Sequence, residues 1–428
     1  MNYSNAPLDA RLDAVLDSGT VVDLEMARRP TALRTARGLA GGKPVWLAGS
    51  DASRARGAIG VAEAEQLCEL FRNARQAPAP IFLLLDSAGA NVDEGLAALG
   101  GFRRLYREAL LTRLAGVPMF ALLGRACFGG SSMLAMLCHR RIYSDRTLLA
   151  ATGPTIIQAL AGIDQLDAAD AAAVKALMGG EARAHLGEDD LLIADELEAF
   201  AACARTLATA DAPLTLDIHR QHDRLGKRLG PAAQSPESSD SVSAERMLQL
   251  SPPGYQCTER GDVLRASAVQ PLTKPVLIGV LSGGSIGAAA HWMLADELLR
   301  VHAAHPGTPV ILVLDASGHA ATRRDEELLL SEYIVHFALT AAWIASRGHR
   351  VVLWIPGQAA GAVYVAFAAP AEHVSALPSA QLRILPQAAV TQILRNPKSE
   401  ISDADAWVRT GVADGLLDSR LSSYGLAR

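Results

Sequence analysis

Two runs of small residues could place backbone amides around a charged oxygen: DSAGA at 86–90 and GRACFGGSS at 124–132. Each follows an apolar stretch that reads as a strand, and the second opens into the apolar run MLAML, which reads as a helix. The first amides of a helix have no intrahelical acceptor and sit at the positive end of its dipole. A glycine at that point carries no Cβ, so a ligand oxygen can come directly to the backbone. Gly89 and Ala90 with Gly129 and Gly130 are therefore candidates for an oxyanion site, which stabilises charge building on a carbonyl oxygen. The competing reading is structural, since small residues let a helix pack closely on a sheet, and for one isolated glycine pair it is the better one. The pattern, however, occurs twice: LDASGH at 314–319 and PGQAAGA at 356–362 repeat it, which adds Gly318, His319, Gly361 and Ala362 to the candidates.

No side-chain nucleophile stands out beside these loops. Ser131, Ser132 and Cys127 lie in the turn, but GxSxG is absent, and a serine after a glycine pair reads as a helix-start hydroxyl. His139, followed by Arg140 and Arg141, reads as a cationic helix C-terminus. TRRDEE at 322–327 reads as a salt-laced helix start rather than an anion site. His319 differs, because it follows Gly318 on the loop itself, and it is expected beside a polar substrate. A Walker-type GxxxxGK is missing and no GxGxxG joins a strand to a helix, which argues against a nucleotide site. The 5 cysteines, Cys68, Cys127, Cys138, Cys203 and Cys257, contain no CxxC pair. The closest histidine pairs, His219 with His222 and His302 with His305, have no carboxylate cluster. No metal and no disulfide framework is expected, and reduced thiols fit a cytoplasmic protein.

The loops need elements to hold them, and the sequence supplies those elements twice. PIFLLLDSAGA at 80–90 matches PVILVLDASGH at 309–319: a proline, a continuous apolar strand, Asp, two small residues and Gly. RGAIGVAEAEQLCELF precedes the first Asp and GGSIGAAAHWMLADELL the second, while VPMFALLG and HRVVLWIPG follow as further strands. The landmarks recur in order at an offset of roughly 230 residues. Continuous apolar strands alternating with helical patterns make each half an α/β domain around a buried sheet. GPAAQSPESSDSVSAE at 230–245 reads as a solvated linker, so the expected domains are 1–230 and 246–428, joined through 231–245. The chain of 428 residues is 50% hydrophobic with a net charge of -5, enough for two cores and without a basic face for nucleic acid. The start, MNYSNAPLDARLDAVLD, has no export signal, and no apolar run is long enough to span a bilayer, so no membrane partner is expected.

RLDAVLDSG, GRACFGG, GPTIIQALAGIDQLDAAD and MGGEARAHLGEDDLLIAD together resemble the β subunit of biotin-independent malonate decarboxylase. LSGGSIGAAA, LVLDASGHAATRRDEELLLSEYIVHFA, RGHRVVLWIPGQAAGAVYVAFA and VRTGVADGLLD resemble the γ subunit of that family. The resemblance covers nearly the whole chain and implies two tandem crotonase-like domains, of the ββα-superhelix type and related by duplication, with the active site where the halves meet. It implies decarboxylation of a malonyl thioester carried on an acyl carrier protein. No cofactor would be bound to the chain itself, because the phosphopantetheine thioester arrives on the carrier. Gly89, Ala90, Gly129 and Gly130 would then form the oxyanion site of the first half, and Gly318, His319, Gly361 and Ala362 the corresponding substrate-binding site of the second.

The chain departs from the family pattern at two places. Gly153-Pro154 is followed by Thr155 and Gln158 where acidic residues are usual, and Gly361-Ala362-Val363 stands where the γ family has Ser-Gly-Gly. Cβ atoms at Ala362 and Val363 are expected to crowd the second oxyanion site and to mark a divergent member. Carboxyl transfer to biotin or an acyl-CoA, and a non-catalytic scaffold for an acyl carrier, are the alternative functions. Arg103, Arg104 and Arg107 could dock an acidic carrier, although a solvated helix face is the plainer reading. Homologous halves make the chain its own pseudo-dimer, and a homo-oligomer of such chains is compatible with that.

Overall fold

The computed structural model describes residues 1–24, 31–210, 214–239, 241–268, 274–385, 389 and 402–417. By its contacts the chain divides into two compact units. The first takes Met1–Glu94, Arg104–Leu216 and Ala321–Glu332, and the second takes Gly95–Arg103, Asp217–Ala320 and the chain from Tyr333 onward. Each unit therefore includes a short segment from the other half of the sequence.

In the first unit the strands are β1 (Val22–Asp23), β2 (Leu33–Ala40), β3 (Lys43–Ser50), β4 (Ile81–Ser87), β5 (Met119–Phe128), β6 (Arg140–Tyr143), β7 (Leu148–Ala150) and β8 (Leu191–Leu192). They form one sheet in the order β1-β2-β3-β4-β5-β6-β8, with β7 paired to the last residues of β5. Its helices are α1 (Leu8–Val15), α2 (Val61–Gln76), part of α3 (Gly95–Leu114), α4 (Gly130–Leu137), α5 (Pro154–Ala161), α6 (Ala171–Met178), α7 (Gly180–Ala184) and α8 (Leu197–Thr209). Gly41 and Gly42, both at positive φ, make the two-residue turn of the β2–β3 hairpin, whose Ala40 and Lys43 pair directly. From β3 on the pairing is parallel, and all of β4 is buried, as a strand covered on both faces must be. One core gathers Tyr3, Leu12, Phe82, Phe120 and Phe200, with the Tyr3 and Phe200 rings stacked at 3.7 Å.

The second unit repeats this plan. Its strands are β9 (Glu237–Ser238), β10 (Tyr255–Arg260), β11 (Val263–Ala268), β12 (Val276–Val280), β13 (Ser285–Ile286), β14 (Val310–Leu314), β15 (Gly318–His319), β16 (Val351–Ile355), β17 (Gln358–Ala360), β18 (His373–Ala376), β19 (Gln381–Arg383) and β20 (Gly415–Leu416). The main sheet runs β20-β18-β16-β14-β12-β11-β10-β9, and β13 with β15 and β17 with β19 make two small parallel pairs. The helices are α9 (Ile218–Leu229), α10 (Val242–Gln249), α11 (Ala288–Ala304), α12 (Arg323–Glu327, counted with the first unit), α13 (Leu330–Ser346), α14 (Gly361–Ala368) and α15 (Ala404–Thr410). Parallel strands β3-β4-β5-β6-β8 and β12-β14-β16-β18-β20 follow the same order, so the repeat in sequence is a repeat of topology. The expected linker carries structure among its described residues: a 3-10 turn over Gly230–Gln234, then β9, which pairs with β10 inside the second unit.

Candidate active site

In the first unit β4 ends in Asp86 and Ser87, and the loop Ala88–Ala90 is held against residues 56–59 by backbone bonds. Ala88 donates to the Arg56 carbonyl at 3.0 Å, Ile59 to Gly89 at 2.8 Å, and Asn91 to Ile59 at 2.8 Å. Gly89 sits at φ +100°, and its amide donates to Ser87 Oγ at 3.1 Å. At the end of β5, Gly129 caps α4 with φ 55° and ψ -128°, a conformation only glycine adopts without strain. Its amide donates to Ala150 of β7 at 3.2 Å, and its carbonyl accepts the Ser132 hydroxyl at 2.7 Å.

The two loops meet. A Cβ on Gly89 would lie 2.8 Å from the Phe128 carbonyl and 3.5 Å from both Gly129 Cα and the Gly130 nitrogen. Of the four residues expected here, Gly89 and Gly129 have engaged amides, whereas Ala90 and Gly130 donate to no acceptor among the described residues. Two open amides on abutting loops, one at the start of a helix, can hold a developing oxyanion.

Behind the loops lies a device the sequence reading missed. Asp86, buried, accepts Arg11 of α1 at 2.9 Å on one oxygen and the Ala126 amide of β5 at 3.2 Å on the other. Asp315 does the same in the second unit, taking Arg246 of α10 at 2.8 Å and the Gln358 amide at 2.8 Å. Both aspartates were visible as landmarks of the repeat. The missing signal was an arginine 75 residues before the first and 69 before the second. A carboxylate that ties one loop-bearing strand to the next sets the spacing of the two loops.

In the second unit Gly318 and His319 form β15 against Ser285 and Ile286, and Gly361 at φ 54° opens α14. These loops also pack together, α14 against β15, and among the described residues a Cβ on Gly361 would come within 4 Å of the Ile384 carbonyl, at 3.4 Å. Ala362 is half-buried and Val363 buried. His319 is half-buried and acts on the charge of buried His291, whose imidazole is pushed down to about 4 by burial first and by His319 in addition. The His291 Nδ1 bonds the Gly287 carbonyl at 2.8 Å, a contact that opposes this shift without reversing it.

Side chains near the first pair of loops are scaffolding. Ser131 and Ser132 are buried, and Ser131 Oγ donates to Ser87 Oγ at 2.6 Å. Burial holds the Cys127 thiol well above its usual range. The cationic helix end expected at His139 is corrected: burial, then Arg113, Arg141 and Arg140, push its imidazole down to about 2, and its Nδ1 accepts the Met119 amide at 3.1 Å. TRRDEE does carry exposed ion pairs, Arg323 with Glu327 at 3.0 Å and Arg324 with Glu327 at 3.5 Å, but Glu326 points inward. Arg103, expected as a docking cation, is engaged by Asp414 at 2.6 Å and the Gly411 carbonyl at 3.1 Å. Among the described residues no group of three metal-ligating side chains occurs, and no helix is long and apolar enough to cross a membrane.

The first unit also holds a cleft of about 1310 Å³ that reaches Asp86, Ser87, Ala88 and Phe128. Arg56 and Arg125 line it. Arg56 stands at φ 56° next to Ala55 at φ 46°, a left-handed pair without glycine that marks local strain.

Residues 18–216 match the family model of the carboxyl transferase domain, and residues 282–416 match that of the malonate decarboxylase gamma subunit. The carboxyltransferase subunit of propionyl-CoA carboxylase from Haloferax mediterranei is 29% identical over 168 residues, 36% of this chain and 32% of that protein. The 12S subunit of methylmalonyl-CoA carboxyltransferase from Propionibacterium freudenreichii subsp. shermanii is 29% identical over 171 residues, 39% of this chain and 32% of that protein. The chain thus spans about a third of the length of these curated relatives. A solved Pseudomonas malonate decarboxylase hetero-tetramer in complex with malonate aligns with 54% of this chain and 91% of its own, at 24% identity and a TM-score of 0.49.

The duplicated sheet with its paired small-residue loops therefore coincides, half by half, with two matches to acyl-thioester carboxyltransferase-type families. The chain thus joins, in one polypeptide, a first half similar to a carboxyl transferase domain and a second half similar to a malonate decarboxylase gamma subunit.

Proposed function

We propose that this protein decarboxylates a malonyl, or related carboxyacyl, thioester carried on the phosphopantetheine arm of an acyl carrier protein, leaving an acetyl thioester. The observation that carries the reading is the pair of open amides, Ala90 and Gly130, on abutting loops at the start of α4. The thioester oxygen would accept both. The bond from the α-carbon to the carboxyl carbon breaks, carbon dioxide leaves, and the electron pair stays on the α-carbon and spreads onto the thioester oxygen as an enolate. Proton addition at the α-carbon from solvent completes the acetyl group. Amides aimed at that oxygen bind the enolate more strongly than the neutral carbonyl, and one such donor is worth about 10²–10³ in rate. No protein nucleophile takes part in these steps, in keeping with buried Ser131, Ser132 and Cys127.

The arm would lie in the cleft of the first unit, where Arg56 and Arg125 suit its phosphodiester. Gly318, His319, Gly361 and Ala362 would form a substrate-binding site of the second unit, altered by Ala362 and Val363. We place the enzyme in the cytoplasm with an acyl carrier protein, and further subunits, as partners. Carboxyl transfer to biotin or an acyl-CoA is the second reading, favoured by the CoA-linked relatives. Intact-mass spectrometry of a malonyl-loaded carrier with the purified protein, without biotin, separates them. Conversion to the acetyl carrier supports the proposal. An unchanged malonyl carrier together with carboxyl exchange in the presence of biotin and an acyl-CoA overturns it in favour of the second reading, and carrier binding with neither reaction leaves a scaffold.

A further inference from the structure

Residues 321–332 lie in the second half of the sequence but pack within the first unit. Glu326 of α12 is fully buried there. One carboxylate oxygen accepts the Thr152 amide at 2.8 Å and the other accepts Arg183 of α7 at 3.1 Å. Arg183, equally buried, also donates to the Leu149 carbonyl at 2.9 Å and to the Glu326 carbonyl. Pair and partners therefore clamp β7 along its length and just past its end. β7 is the strand whose Ala150 carbonyl receives the Gly129 amide. A second contact reaches the same turn from the other side: Ser331 Oγ meets Ser132 Oγ at 2.7 Å, and Ser132 donates to the Gly129 carbonyl.

The backbone between these residues is strained. Leu329, buried, stands at φ 63°, an outlier for a bulky side chain. Such a conformation persists only where the surroundings enforce it. Here it joins α12 to α13, the two helices that carry Glu326 and Ser331.

We infer that Glu326, Arg183 and Ser331 are positioning residues for the Gly129–Gly130 turn, so that the first oxyanion loop is completed by a segment from the second half of the sequence. The inference rests on the proposed role of the Gly130 amide and names what sets its place. Gly129 has both polar backbone atoms engaged: its carbonyl leads through Ser132 to Ser331, and its amide through Ala150 and the adjoining residues Leu149 and Thr152 to Arg183 and Glu326.

The test uses the full chain with two variants. Glu326→Leu combined with Arg183→Met removes both buried charges at once, which leaves no unpaired ion and so preserves the fold. Ser331→Ala removes one hydroxyl and serves if the double variant does not fold. Hydrogen exchange read by mass spectrometry on peptides spanning 126–134 should show the Gly129 amide exchanging at least about tenfold faster, with β4 peptides unchanged. On the malonyl carrier, kcat should fall by about 10–100-fold with KM within about twofold, as for a group that acts on the transition state. A folded double variant, or Ser331→Ala where that is the one that folds, with unchanged exchange at Gly129 overturns the inference. A wild-type protein without turnover would refute the proposed reaction, while the exchange measurement would still decide the positioning.

Discussion

The first and second units build their loops on the same frame and finish them differently. Both have an aspartate at the end of the central strand, tied to an arginine from an earlier helix, α1 or α10, and to a backbone amide, that of Ala126 in β5 or Gln358 in β17. Both open a helix with a glycine at φ near 55°. Yet beside the Cβ position of Gly129 lies Gly89 at 3.8 Å and beside that of Gly361 the Ile384 carbonyl at 3.4 Å, and Ala362 and Val363 follow Gly361 where Gly130 and Ser131 follow Gly129. The difference shows that the frame sets where the loops start, and the residues after the glycine decide how closely a ligand oxygen can approach the first amides of the helix.

The largest effect expected from this contrast is at the glycines. Gly129→Val puts a branched side chain at φ 55° against the neighbouring loop, and turnover on the malonyl carrier should fall by more than about 10³-fold with the circular dichroism spectrum kept. Gly361→Val should cost less than a tenth of that, about 10-fold, because Ala362 and Val363 already put side chains at the second helix start. Equal losses would make the two units equivalent and sink the comparison.

The arginines come next. Arg11 is 4% exposed and Arg246 42%, although each meets its aspartate at the same spacing within 0.1 Å. Arg11→Met leaves Asp86 buried and unpaired, and urea unfolding should show a loss of about 3–5 kcal/mol. Arg246→Met should lose about 1 kcal/mol or less, since water reaches that pair.

A pH titration of stability gives a smaller difference. His291 has a folded-state pKa below its unfolded value, so the unfolded chain takes up the proton first. Its contribution is complete above pH 6.5 and is lost as pH falls through about 4, amounting to about 3 kcal/mol. His291→Phe should flatten the stability profile over that interval, and an unchanged slope would show that the ring is not held neutral. His139 in the first unit, pushed to about 2, extends the same loss to lower pH. The smallest effect is Ser131→Ala: its hydroxyl supports Ser87, which accepts the Gly89 amide, so activity should fall by less than about tenfold. A loss above about 10³-fold would instead revive a serine nucleophile.

Much of this was legible in the chain. The strands ending at Asp86 and Asp315 are continuous apolar runs, and such runs pair in parallel whatever lies around them. Gly129 and Gly361 were visible because a helix start at positive φ admits little else. His139 misled because a histidine between a helix end and two arginines looks charged, and only its burial makes it neutral. The segment at 230–245 looked like a linker from composition alone, while β9 within it finds its partner strand in the second unit. Glu326 was hidden among exposed charges of the same type, and nothing local separates it from Glu327.

The sequence by itself determined the duplication, the order of strands and the places where small residues interrupt them, because each depends on apolar periodicity and on conformational limits within a few residues. Only the tertiary structure decided which amides stay open, which carboxylates are buried against arginines, and which half of the chain supports the Gly129 turn. Those outcomes depend on partners 75 residues away from Asp86 and 174 residues away from Thr152. A backbone donor is available for chemistry only when no such distant group takes it first.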